Sequence, residues 1–192
     1  MIALETVREA YTTRWGKPTR TDRYKADKHA VDVLIWDAQA NREGVALYAT
    51  VGASSWPLAG CPPEQRIEFF TGLKPARDDI ADALAGLSLY SVLEGVALHH
   101  GHTVPSAGPL WPESPMSTFL VVRARPAFLP PLELPDGLGV EFLQAIPIFE
   151  TERAYKMTHG VEALMSCWEK ARTPFWNPDR DPNPVGLLPN PS

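Results

Sequence analysis

Phe142-Leu143-Gln144-Ala145-Ile146-Pro147-Ile148-Phe149 leads directly into Glu150-Thr151-Glu152, with Val161-Glu162-Ala163-Leu164-Met165 a turn further on. The first part is an apolar run with a single polar interruption, which reads as a buried strand. Two carboxylates immediately after it mark a helix start, where the helix dipole favours negative charge. Extended back to Val140, this is the last long strand of the chain. Two helical turns follow it, then a firmer helix carrying Val161, Leu164, Met165 and Trp168 on one face.

Upstream, Val31–Trp36 and Ala46–Val51 are rich in β-branched and aromatic residues, and Asn41-Arg42-Glu43-Gly44 supplies a turn between them. This predicts a hairpin. Arg66–Thr71 reads as a third strand, and Phe119–Val122 as a short apolar one, with a further extended piece at Gly101–Pro105. Between Arg77 and Leu98, Ile80, Leu84, Leu87, Tyr90 and Leu93 recur at helical spacing, with Asp78, Asp79 and Asp82 in the first turns. Gly95 places the end of that helix near Glu94. Thr6–Tyr11 begins a helix that Gly16-Lys17-Pro18 must end, and the segment from there to Lys28 is polar and basic. Pro126–Pro135 reads as a surface excursion. From Pro174 onward, prolines at 174, 178, 182, 184, 189 and 191 exclude helix or sheet and predict an extended tail. The pattern is α+β, a mixed or antiparallel β-sheet with helices packed on it. Its expected divisions are a polar, helical lead-in over 1–28, a domain over 29–172 and a Pro/Asn-rich tail over 173–192.

The 192 residues are 44% hydrophobic and 21% charged, the balance of an ordinary globular protein. No apolar run is long enough for a membrane span, and acidic residues arrive too early for a signal peptide, so the cytoplasm is expected. The net charge of −5 is uneven. Residues 1–28 hold seven Lys/Arg and four Asp/Glu, a net of +3; the remainder holds eleven and nineteen, a net of −8. An acidic body argues against direct nucleic-acid binding and suits a basic protein partner. Cys61 and Cys167 are far apart without a Cys-x-x-Cys pattern and are expected as free thiols.

Catalytic and metal chemistry find little support. His99, His100 and His102 are the densest group of potential ligands, but adjacent histidines on a helix diverge by about 100°, and no His-Glu-x-x-His is present. His99 and His100 are expected to complement the C-terminus of the preceding helix and His102 to open the next turn, and no metal or cofactor is expected. Gly52-Ala53-Ser54-Ser55-Trp56 approaches a nucleophile elbow, but Trp56 stands where the second glycine is required. Arg66 and Glu68 share a strand face, where they are expected to join an ion-pair network that could include Glu150 and Glu152. Among six tryptophans, Trp36 and Trp168 fall on core-facing patterns, while Trp56 and Trp111 lie in Pro-flanked loops suited to partner contact.

Three blocks, in order, resemble the Suppressor of Fused-like (SUFU) family in its bacterial branch. Tyr48-Ala49-Thr50-Val51-Gly52-Ala53-Ser54 is similar to the family's strand ending in a Thr/Ser-x-Gly-x-Ser turn. Arg66-Ile67-Glu68-Phe69, then Gly101-His102-Thr103-Val104 after the helix, are similar to its Glu-containing strand and Gly-His turn. Phe142 to Leu164 is similar to its Phe-Leu-Gln-x-x-Pro strand and following helix. The resemblance spans roughly 31–171. It departs in lacking a Met-Ser after Gly52 and any counterpart of the second domain of the animal proteins.

The resemblance implies a non-enzymatic protein-binding domain, and for bacterial members an immunity protein that occludes a cognate toxin. Partner contacts are expected from Ser54, Ser55, Trp56, His102 and Trp111, in a monomer or weak homodimer. The alternatives are a peptide-binding scaffold or chaperone that adds a strand at a sheet edge, or a small-molecule hydrolase built on Ser54, Ser55, Arg66, Glu68 and His102.

Overall fold

The structure, a computed structural model, describes residues 2–58, 61–134 and 136–184. Four helices and eight strands follow in the order α1 (Ile2–Trp15), β1 (Arg20–Ala26), β2 (His29–Trp36), β3 (Ala46–Val51), β4 (Gln65–Leu73), α2 (Ile80–Leu93), β5 (Thr103–Pro105), β6 (Thr118–Arg123), β7 (Leu132–Glu133), β8 (Gly139–Ile148), α3 (Glu150–His159) and α4 (Val161–Ala171). The strands form one mixed sheet in the order β1-β2-β3-β4-β8-β6-β5, with β7 paired to β8. Only β4 and β8 run parallel, in register from Gln65 opposite Gly139 to Phe70 opposite Gln144. The strand that opens the C-terminal block is thus central, which is why it carries apolar residues on both faces.

Alternation along the strands sorts side chains between the two faces. Val33, Ile35, Ile67, Phe69, Leu143 and Ala145 meet Ile80, Leu84 and Leu87 of α2. On the opposite face, Leu34, Trp36, Phe70 and Phe142 meet Val7, Tyr11 and Trp15 of α1. Leu120, Val122, Ile146 and Ile148 meet Leu164 and Trp168 of α4. Trp36 and Trp168 are both core residues. Gly16 (φ +84°) ends α1, and its carbonyl accepts the Trp36 indole N–H at 2.8 Å, fixing helix to sheet.

The basic stretch ahead of Lys28 is an edge strand: β1 pairs along its whole length with β2, and α1 covers a sheet face. Residues 1–28, read as a lead-in, therefore include integral parts of the fold. Pro126–Pro135 is not purely a surface excursion, since Leu129 and Leu134 are buried against the α1 face. Residues 174–184 have neither helix nor strand, but Arg180 and Asn183 within them are buried, so this stretch of the tail is a docked strap. Residues 185–192 of the expected tail lie outside the described residues. Both cysteines are free thiols. No helix among the described residues is long and apolar enough to cross a membrane.

Candidate functional site

Three polar features were candidates for chemistry, and the first is Glu68. Its side chain leaves β4 toward the α1 face and is completely buried. Oε1 accepts the Gly52 N–H at 2.8 Å, the Ser54 N–H at 3.0 Å and the Ser54 hydroxyl at 2.7 Å. Oε2 accepts the Thr50 hydroxyl at 2.6 Å, and that hydroxyl in turn accepts the Phe69 N–H at 2.8 Å. Burial pushes the Glu68 carboxyl above its ordinary pKa, against the opposing pull of the Ser54 and Thr50 hydroxyls and the two backbone donors. Burial, and secondarily Glu68, push the Tyr11 phenol up as well. A carboxylate with its lone pairs occupied and no solvent access is a structural clasp.

The second feature is Glu152, also fully buried. Its two oxygens receive both terminal nitrogens of Arg180 at 2.7 Å, the Trp168 indole N–H at 3.1 Å and the Asn183 N–H at 3.2 Å. It also accepts the Phe149 N–H at 3.1 Å, closing the first turn of α3. The Arg180 guanidinium lies over the rings of Phe149 and Trp168, 4.9 and 5.7 Å from their centroids. The expected network between Arg66, Glu68, Glu150 and Glu152 is absent. Arg66 instead donates to the carbonyls of Pro63 and Gln65, and Glu150 pairs with Arg153 at 2.7 Å. Glu68 and Glu152 are reached by different partners because they lie in separate clusters.

The third feature is the histidine group. Helix α2 ends at Leu93, six residues before His99, so these side chains do not cap it. His100 Nδ1 accepts the Arg123 N–H at 3.2 Å and its Nε2 lies 3.1 Å from Glu162. His99 and His102 rings pack edge to face. Burial, then His99 and Lys156, lower the His102 pKa. Among the described residues, no three His, Cys, Asp or Glu side chains are placed to share a metal ion.

The residues chosen from sequence are dispersed. Ser54 is buried and its hydroxyl is given to Glu68, while Ser55 on the same 3-10 turn is exposed. Trp56 packs edge-on against His29, with ring centroids 4.2 Å apart. His102 is exposed beside β5. Trp111 is buried and lines a cavity of about 690 Å³ between α2 and the chain following β5. None of Ser54, Ser55, Trp56 and His102 lines that cavity.

That cavity was not foreseen. Ala83, Gly86, Leu87 and Tyr90 of α2 form one wall, and Val104 to Ala107, Leu110, Trp111 and Phe119 form much of the rest. Tyr90 is 42% exposed there and Leu93, a turn further along, is 45% exposed. The groove runs beside β5, the last strand of the sheet. Val121 donates to the His102 carbonyl and Ser106 to the Ser117 carbonyl. Antiparallel alternation therefore turns the N–H and C=O of Thr103 toward the open edge. The sequence signal was faint: α2 is apolar nearly all round, with Asp82 its one charged residue, so Gly86, Tyr90 and Leu93 on the exposed side do not stand out from its core residues.

Compared with solved structures, the fold is similar to a SUFU homologue from Neisseria gonorrhoeae FA 1090, with 21% identity, a TM-score of 0.69, and 94% of this chain and 96% of that one covered. It is similar also to a chain of the Sufu–Fu complex, with 16% identity, a TM-score of 0.67, and 97% and 92% covered. Drosophila Suppressor of Fused gives 15% identity and a TM-score of 0.72 over 98% of this chain, which spans 52% of that one. No curated protein sequence matches. Residues 27–181 match the family described as Suppressor of fused protein (SUFU), and with the shared fold and the Thr50–Ser54 turn clasped by Glu68, the chain belongs to the SUFU family.

Proposed function

We propose that the chain is a non-enzymatic protein-binding domain that receives an extended segment of its partner along β5 and in the groove against α2. The observation that carries this reading is the groove itself, an apolar trench beside a sheet edge with unpaired main-chain groups. An added strand gains main-chain hydrogen bonds from the edge and places alternate side chains in the trench. The two edges of the sheet differ in a way that favours β5. Strand β1 carries Arg20, Asp22, Arg23 and Lys25, charges that discourage edge pairing. The stretch Thr103-Val104-Pro105-Ser106-Ala107 carries none, and the groups it turns outward are the N–H and C=O of Thr103 and the carbonyl of Pro105, proline having no N–H. Of the residues chosen from sequence, Trp111 belongs to this interface; the Ser54–Trp56 turn and His102 lie outside the groove.

The partner in this reading is a toxin held inactive by occlusion, and the chain is its immunity protein in the cytoplasm. The −8 charge of residues 29–192 supports a basic partner. The test is capture by the tagged chain at low and high salt, with Gly86→Trp alongside. Gly86 is exposed, and open space surrounds the position of an added Cβ, so tryptophan fills the groove without disturbing the core. A single stoichiometric toxin retained by the wild type, weakened by salt and lost with Gly86→Trp is the expected result. A partner held equally by both proteins would remove the groove from the account.

A further inference from the structure

Beyond Trp111 the groove opens into a second hollow, and its charge is one-sided. This hollow, of about 640 Å³, shares Asp79, Trp111 and Pro112 with the first and is closed by the strap at Pro178 to Pro182. Two cations line it, and both are already engaged. Arg77 is held by both carboxylate oxygens of Asp179 at 2.6 and 2.8 Å, and Arg180 by Glu152. Asp79, Glu113 and Asp181 also line the hollow, are exposed, and make no ion pair among the described residues. Arg180, although its side chain is only 2% exposed, keeps its Nε–H without an acceptor.

We infer that the groove takes a peptide segment of defined polarity, with apolar side chains between α2 and β5 and Lys or Arg side chains in the hollow beyond Trp111. Three unpaired carboxylates select cations, and the adjoining apolar trench, which shares Asp79, Trp111 and Pro112 with the hollow, selects an extended chain over a free ion. This inference rests on the groove reading above and specifies its occupant.

Fluorescence anisotropy with three labelled synthetic peptides tests it. All share alternating leucines; one continues in arginines, one in glutamates and one in serines. The expected order is arginine over serine over glutamate, with about tenfold between the first two at low salt. Asp79→Asn, Glu113→Gln and Asp181→Asn together should bring the arginine peptide down to the serine peptide. All three positions are exposed, and an unchanged melting temperature confirms that the fold is kept. Equal binding of arginine and serine peptides by the wild type, each abolished by Gly86→Trp, would overturn the basic subsite and leave the groove reading standing. Arginine-peptide binding that Gly86→Trp does not touch would overturn the inference as simple charge attraction. Failure of all three peptides to bind would count against the groove reading itself.

Discussion

Glu68 joins one strand to the turn that ends another, and its environment sets how stability responds to pH. Removing the carboxylate leaves the N–H groups of Gly52 and Ser54 without their acceptor inside the protein. Glu68→Ala should therefore cost about 2–4 kcal/mol in chemical denaturation. Glu68→Gln keeps an acceptor oxygen of similar shape and should cost less. Because folding raises the pKa of this carboxyl, the folded state holds its proton where the unfolded chain has lost it. Its contribution is complete below the unfolded carboxyl pKa and declines as pH rises through the folded one. Denaturation of wild type and Glu68→Gln across that acid window should show the decline only in the wild type; parallel curves would refute the assignment. Gly52 has φ +136°, and a Cβ there would lie 2.7 Å from the Ala30 carbonyl oxygen. Gly52→Ala should cost at least about 2 kcal/mol by the same measurement. The Thr50–Ser54 motif and the shared face of Arg66 and Glu68 were both visible in the sequence. Their union was not, because Glu68 is driven to seek these donors by its depth beneath α1, which no local pattern reveals.

At the level of elements, the strap carries a buried ion pair, Arg180 with Glu152, set in an aromatic cage. Arg180→Ala leaves Glu152 buried and uncompensated, so a loss of about 3–5 kcal/mol is expected. Faster hydrogen exchange or proteolysis should appear first between 174 and 184. The double variant Arg180→Met with Glu152→Gln should recover part of the loss; no recovery would mean that the strap is held by other contacts. Helix α2 offers the opposite case. Gly86→Ala at an exposed helical position should raise stability by about 0.5–1 kcal/mol and leave binding intact. The central strand β8 and the β2–β3 hairpin were legible because their apolar and β-branched residues form short runs bounded by turns, and α2 because Ile80, Leu84, Leu87 and Leu93 recur at helical spacing. Strand β1 was not, since Arg-Thr-Asp-Arg-Tyr-Lys-Ala buries little and owes its extension to pairing with β2. The strap's proline content correctly excluded regular structure, but proline content says nothing about docking. Arg180 became decisive only when tertiary structure placed Glu152 beneath it.

For the molecule as a whole, the sheet presents two unlike edges. β1 is guarded by alternating charge, and β5 lies open beside an apolar groove that continues into an acidic hollow. The negative charge of the body was readable from composition; its concentration at the end of one groove was not, since Asp79, Glu113 and Asp181 come from three distant segments. Hydrogen exchange on the chain alone and in complex with the protein partner it captures would locate an added strand on one edge or the other. New protection is expected at Thr103, Val104, Ser106 and Ala107 and along residues 83–90 of α2. Protection confined to the Ser54–Trp56 turn or to β1, with the β5 edge exchanging as in the free chain, would contradict it.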